Sequence, residues 1–145
     1  MIRFGLLLFL AVPLMAAEGK IHKVLPHFVD KEGRHTLSAS LYERDAYQAV
    51  LRNSPAQRDG LRFDVHWKAR KSPALKLRVD MRGSKNEQAT NFTIESPVKP
   101  PRILSKWSAL IVRGKDYIGV GELRSWRVTL WDGDQLLAEQ KSFLW

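Results

Sequence analysis

The sequence predicts an all-β fold, an antiparallel β-sandwich of about seven short strands with one short helix after the first strand. Two uninterrupted runs of apolar–polar alternation, an Asp-Gly turn between two apolar segments near the C-terminus, and helical spacing in a single segment carry that prediction. A parallel α/β sheet needs a helix in most of its crossovers, and this chain does not supply them.

The elements follow in order. Lys20 to Phe28 reads as a first strand. Ser38 or Ser40 then caps a helix running to about Arg52. Leu41, Ala46, Tyr47, Val50 and Leu51 approximate helical spacing there, and Glu43 follows Ser40 by three, as in a capping box. Asn53-Ser54-Pro55 stops it. From Leu61 to Ala69 the chain alternates without a break: Leu61, Phe63, Val65, Trp67 and Ala69 point one way, Arg62, Asp64, His66 and Lys68 the other. After Ser72-Pro73 the pattern repeats, with Leu75, Leu77, Val79 and Met81 inward and Lys76, Arg78, Asp80 and Arg82 outward. Gly83-Ser84-Lys85-Asn86 turns the chain into a weaker strand over 89–96, with Phe92 and Ile94 inward, which Pro97, Pro100 and Pro101 end. Residues 103–113, rich in Leu110, Ile111 and Val112, form another strand closed by Gly114, and Tyr117 to Val120 reads as a short extended piece between glycines. Last comes a hairpin: Ser125 to Trp131, the turn Asp132-Gly133-Asp134, and Leu136 to Phe143. Acidic residues two apart also begin an EF-hand loop, but the later ligands and closing Glu of that loop are missing, so the triplet reads as a turn.

The pattern Trp126-x-Val128, a polar turn, then Leu137-Ala138-Glu139 and Phe143 resembles the last two strands of bacterial exported immunoglobulin-like or fibronectin-like domains. The resemblance spans about a seventh of the chain and implies an immunoglobulin-like sandwich rather than an activity, because such sandwiches host unrelated functions. The cysteine pair of true immunoglobulin domains is absent.

Strands 61–69 and 75–82 are expected to pair directly, in the register that sets Asp64 opposite Arg78 and Arg62 opposite Asp80. The alternative register sets Lys68 opposite Lys76, Asp64 opposite Asp80 and Arg62 opposite Arg82, and like charges directly opposite destabilise a sheet. In a strict immunoglobulin topology the two strands could instead lie in opposite sheets.

Residues 1–17, MIRFGLLLFLAVPLMAA, have the three parts of a secretory signal peptide: Arg3, an apolar run of 12 residues over Phe4–Met15, and Ala16-Ala17 at the cleavage position. The run is too short to span a membrane. The expectation is a soluble single domain over 18–145, periplasmic or secreted from a bacterium, with no transmembrane segment in the mature chain. Cysteine is absent, which removes disulfides, thiolate metal sites and a cysteine nucleophile. Asn91-Phe92-Thr93 matches a glycosylation acceptor, a pattern common by chance.

Catalytic signals are sparse. His22 and His27 are five apart and so face opposite sides of a strand, where they cannot share a metal. His35 is the remaining histidine of the four, and His66 reads as a surface residue between Asp64 and Lys68. Gly119-x-Gly121 lacks the third glycine and the helix of a dinucleotide site. No nucleophile elbow, phosphate loop or HExxH occurs. No cofactor or metal is expected. Among five tryptophans, Trp67 and Trp126 take inward phases; Trp131 and Trp145 suit edge packing, with a sugar-ring platform as the alternative.

The formal charge is +9, from 24 Lys and Arg against 15 Asp and Glu. Lys68, Arg70, Lys71, Lys76, Arg78, Arg82 and Lys85 fall close together, diluted by Asp80. If the two alternating strands are neighbours, Lys68, Arg70, Lys71, Lys76, Arg78 and Arg82 make one basic face able to attract a polyanion; the bland alternative is a solvated surface. Three functions stay open: a non-enzymatic exported binding or accessory module in the cell envelope, a binder of anionic envelope polymer or glycan through the basic face, and a hydrolase whose site the sequence does not mark. The partner is an unknown protein or an anionic envelope polymer; the compartment makes nucleic acid unexpected.

Overall fold

The computed structural model describes residues 18–145, so the signal peptide expected over 1–17 lies outside the described residues. Seven strands and two helices follow in the order β1 (Gly19–Asp30), α1 (Leu41–Asn53), β2 (Arg58–Ala69), β3 (Leu75–Lys85), β4 (Gln88–Pro97), β5 (Lys106–Arg113), α2 (Gly114–Val120), β6 (Glu122–Asp132) and β7 (Gln135–Lys141). They form two antiparallel sheets, β1-β2-β5 and β4-β3-β6-β7, that share one core.

The core is where the two alternating runs meet. Phe63, Val65 and Trp67 of β2 lie in one cluster with Leu77, Val79 and Met81 of β3 and Val128 and Leu130 of β6, all at or near zero exposure. Burying side chains of this size stabilises the fold by about 1.5–3 kcal/mol each. The polar end of Trp67 is satisfied, its indole N–H donating to Ser108 Oγ at 2.9 Å.

The expected pairing of β2 with β3 does not occur. β2 pairs with β1 and β5, and β3 with β4 and β6, in opposite sheets. The charges invoked to choose a register are satisfied along their own strands instead: Arg62 Nε donates to Asp64 Oδ1 at 2.9 Å, and Arg78 Nε to Asp80 Oδ1 at 3.0 Å. An arginine and a carboxylate two apart share one face of a strand, so neither strand needs the other for its charge partner. Residues 70–74 cross between the sheets and are pinned at Asp132, which accepts from Ser72 Oγ at 2.6 Å and Arg70 at 3.1 Å; Arg70 also reaches Glu18 at 2.7 Å.

Two local expectations are corrected as well. Tyr117 to Val120 is helical, not extended: α2 places Tyr117 and Val120 three apart, with Val120 buried and Tyr117 packed against the core. Gly121 ends α2 at φ 72°, and a Cβ there would stand 2.4 Å from the Ser84 carbonyl oxygen, so only glycine fits. The chain also turns later than Gly83. β3 continues to Lys85, and Asn86-Glu87, at φ 51° and 63°, make the two-residue hairpin loop. The C-terminal hairpin and the helix lie where the sequence puts them. Ser40 is the cap of α1, its Oγ accepting from the Glu43 N–H at 3.4 Å.

Candidate functional site

The outer face of the three-stranded sheet collects all four histidines. On β2 the outward residues are Arg62, Asp64, His66 and Lys68; β5 sets Ile111, Ala109 and Trp107 opposite the first three, and β1 sets His27 opposite Arg62. An irregularity between Ile21 and Lys23 inserts His22 into β1 as an extra residue. That bulge resets the parity of the strand, so His22 and His27 emerge on the same side, not on opposite sides as a regular strand requires.

Two clusters result. In the first, three rings lie in a row: His22 is 4.9 Å from His66, and His66 is stacked on Trp107 at 4.8 Å and 11°. His66 Nε2 also meets Ser105 Oγ at 2.8 Å, and Trp107 remains 50% exposed. Burial, helped by His66, Lys20 and Lys68, lowers the His22 pKa below its ordinary value. In the second, His27 Nδ1 lies 3.2 Å from Asp64 Oδ2, and the His35 ring lies 5.3 Å from that of His27. Burial raises the Asp64 pKa, but His27 and Arg62 outweigh it and the net shift is downward; burial and the nearby Arg62 lower that of His35.

His35 comes from the loop between β1 and α1, and that loop is built on Asp30. The buried carboxylate accepts from the backbone N–H groups of Glu32 at 3.0 Å and Arg34 at 2.8 Å, from Arg34 Nε at 2.9 Å, and from the Tyr47 hydroxyl. Burial opposes ionisation, yet the Tyr47 hydroxyl and the backbone and side chain of Arg34 hold the Asp30 pKa down at about 2. A second anchor is Gln48, only 6% exposed, whose amide accepts from the Phe28 N–H at 2.7 Å and donates to the carbonyls of Phe28 and His35 at 2.8 Å each. One side chain thereby ties the residue after His27 to His35.

The pieces of a Ser-His-Asp triad are present but divided. His27 has the carboxylate, His66 has the hydroxyl, and among the described residues neither histidine bonds to both. A metal-competent set does exist. His27, His35 and Asp64 each offer a ligand atom, and these atoms all lie within 4.8 Å of one another. Beside them, a cleft of about 430 Å³ is lined by His27, Phe28, Gln48, Arg58 and Tyr117 among others.

The six basic residues expected to share a face do not. Lys68 is on the outer face of β1-β2-β5, Arg70 and Lys71 are in the crossover, and Lys76, Arg78 and Arg82 are on the outer face of the other sheet. Four of them are engaged. Arg70 bridges Glu18 and Asp132, Lys76 lies 3.5 Å from Glu95, Arg78 pairs with Asp80 at 2.9 Å, and Arg82 lies over the Trp145 ring at 3.7 Å. Trp131 packs with its N–H on Thr129 Oγ1 at 2.8 Å. The exposed platform is therefore Trp107. Sequence spacing missed the histidine clusters because a bulge, a loop and a strand 37 residues away supply their members; the outward phase of Asp64 and His66 was the one legible signal. The chain matches no family model, no curated protein and no solved structure.

Proposed function

We propose that this protein is an exported, non-enzymatic immunoglobulin-like β-sandwich that serves as a binding or accessory module in the cell envelope. The observation that carries the reading is the outer face of β1-β2-β5, where the half-exposed Trp107 ends a row of three rings and Ile111, at 42% exposure, lies farther along the same strand face. Exposed aromatic and aliphatic side chains on a rigid sheet are the material of a protein–protein contact, since they add contact area at low entropic cost. The division of triad components between two clusters favours binding over hydrolysis. Strand order supports the immunoglobulin-like assignment. The second strand pairs with the first and fifth, the third with the fourth and sixth, and the seventh forms a hairpin with the sixth, as in a Greek-key sandwich whose fourth strand joins the sheet of the third. No helix among the described residues is long and apolar enough to cross a membrane.

The test has two parts. The envelope fraction should contain a chain beginning near Glu18, and an intact Met1 on a soluble envelope protein would overturn export. A photoreactive residue at position 107 should crosslink one discrete envelope protein in intact cells, whereas one at position 91, on the opposite face, should not. Equal labelling from both positions, or none from either, removes the binding face.

A further inference from the structure

We infer that His27, His35 and Asp64 form a site for one divalent transition-metal ion of the zinc, copper or nickel class. The inference goes beyond the binding-module reading and stands whether or not the Trp107 face docks a partner.

Two of the three ligands are already set. His27 Nδ1 and Asp64 Oδ2 are 3.2 Å apart. Two ligand atoms sharing a tetrahedral ion at bond lengths of about 2.0–2.1 Å stand about 3.3 Å apart. The spacing of that pair is therefore the spacing ligation requires. The third ligand has farther to come, the ligand atoms being mutually within 4.8 Å, so closure needs a shift of about 1.5 Å or less. His35 sits on a loop rather than a strand and can make that shift by side-chain rotation, while its backbone stays fixed by Gln48 and by the Asp30 turn. Anchored backbones with an adjustable ring are what a supporting shell has to provide.

The donor chemistry selects the class of ion. Two imidazoles and one carboxylate suit zinc, copper(II) and nickel, whereas magnesium and calcium prefer an all-oxygen shell. No cysteine competes anywhere in the chain. Three protein ligands also leave a fourth position open. Ligation needs an unprotonated ring nitrogen, so binding through His27 Nδ1 replaces the proton shared with Asp64 by the ion, and the proton left on that ring is carried by Nε2.

Arg62 is the opposing group. Its Nε donates to both oxygens of Asp64, at 2.9 and 3.1 Å, and so sets a positive charge beside the carboxylate the ion would bind. Removing this positive side chain should therefore tighten the site.

The experiment is calorimetric titration of the untagged full chain with zinc, copper(II) and nickel chlorides, with magnesium chloride as control. One ion per chain is expected from at least one of the three, and none from magnesium. His35→Ala, a loop substitution that leaves the core intact, should weaken binding at least about tenfold. Arg62→Gln should strengthen it several-fold, and His66→Ala should leave it unchanged. For the loaded protein, histidine nitrogen resonances in NMR should shift for His27 and His35 but not for His22. Because His27→Gln and Asp64→Asn alter largely buried positions, the inference rests on the His35 and Arg62 variants together. Absence of one-to-one binding by the parent, unchanged affinity in His35→Ala, weaker binding in Arg62→Gln, or loss of binding in His66→Ala would each overturn it.

Discussion

On the outer face of β4-β3-β6-β7, cations stand beside carboxylates: Arg78 pairs with Asp80 and Glu95, Lys76 with Glu95, and Arg127 with Glu139. On the outer face of β1-β2-β5 the residues are of another kind. Four histidines and a half-exposed tryptophan are arranged around one arginine–aspartate pair. The first face carries carboxylates paired with cations, and the second carries imidazole and indole rings. The net charge of +9 is thus a property of the whole chain and not of a surface. A lattice of exposed ion pairs keeps a protein soluble and contributes little stability, about 0.2–1 kcal/mol per pair. Titratable, ring-lined clusters held by buried anchors are where selective binding is to be sought.

This contrast can be sharpened by breaking each face in turn. The largest effect is expected at Asp30, which supports the histidine face from beneath. Asp30→Asn should cost about 2 kcal/mol in chemical denaturation, because four donors lose a buried carboxylate. Its pH signature is specific. The folded pKa of about 2 lies below the ordinary aspartate value of 3.8. The stabilisation is therefore complete above the higher value and is lost as pH falls through the lower one. The parent should lose its advantage over Asp30→Asn in that acid window, and a constant difference across it would detach the loop from this carboxylate.

On the opposite face the corresponding change is smaller. Asp80→Asn should cost about 1 kcal/mol, since Asp80 serves both Arg78 and the Thr93 hydroxyl, and the cost should shrink in high salt. If it exceeds that of Asp30→Asn, the ranking of the two faces is wrong. Lys76→Gln, which touches one exposed pair at 3.5 Å, should shift stability by less than about 0.5 kcal/mol. The smallest signal is spectroscopic. In NMR titration His22 should hold its neutral form to lower pH than a free histidine, and His66→Gln should move its pKa upward by removing one of the groups that depress it. The linkage is unfavourable to acid: a histidine with a depressed folded pKa costs stability as pH falls below its ordinary value.

The legible and illegible parts of the molecule separate by the distance over which their causes act. Alternation over Leu61–Ala69 and Leu75–Met81, the Ser40 cap and the Gly133 turn are each decided by a few consecutive residues, and the strands, the helix and the hairpin formed there. Which sheet a strand joins is decided elsewhere. Charge complementarity between Arg62, Asp64, Arg78 and Asp80 is genuine, but it is met within each strand and so carried no information about pairing. Tyr117–Val120 was too short for its period to separate a helical turn from an extended piece. The histidine clusters were less visible still, because a single inserted residue at His22 shifts the parity of β1 between His22 and His27.

Gln48 has a consequence beyond holding His35. β1 is an edge strand, and at Phe28 the Gln48 amide fills the place a neighbouring strand would take, receiving one backbone hydrogen bond and returning another. An uncovered edge is a template on which further chains can add. The same amide therefore both covers that stretch of edge and holds His35 in place. A substitution that frees the loop for faster ligand exchange also uncovers a stretch of strand, so here mobility and self-association are inherited together.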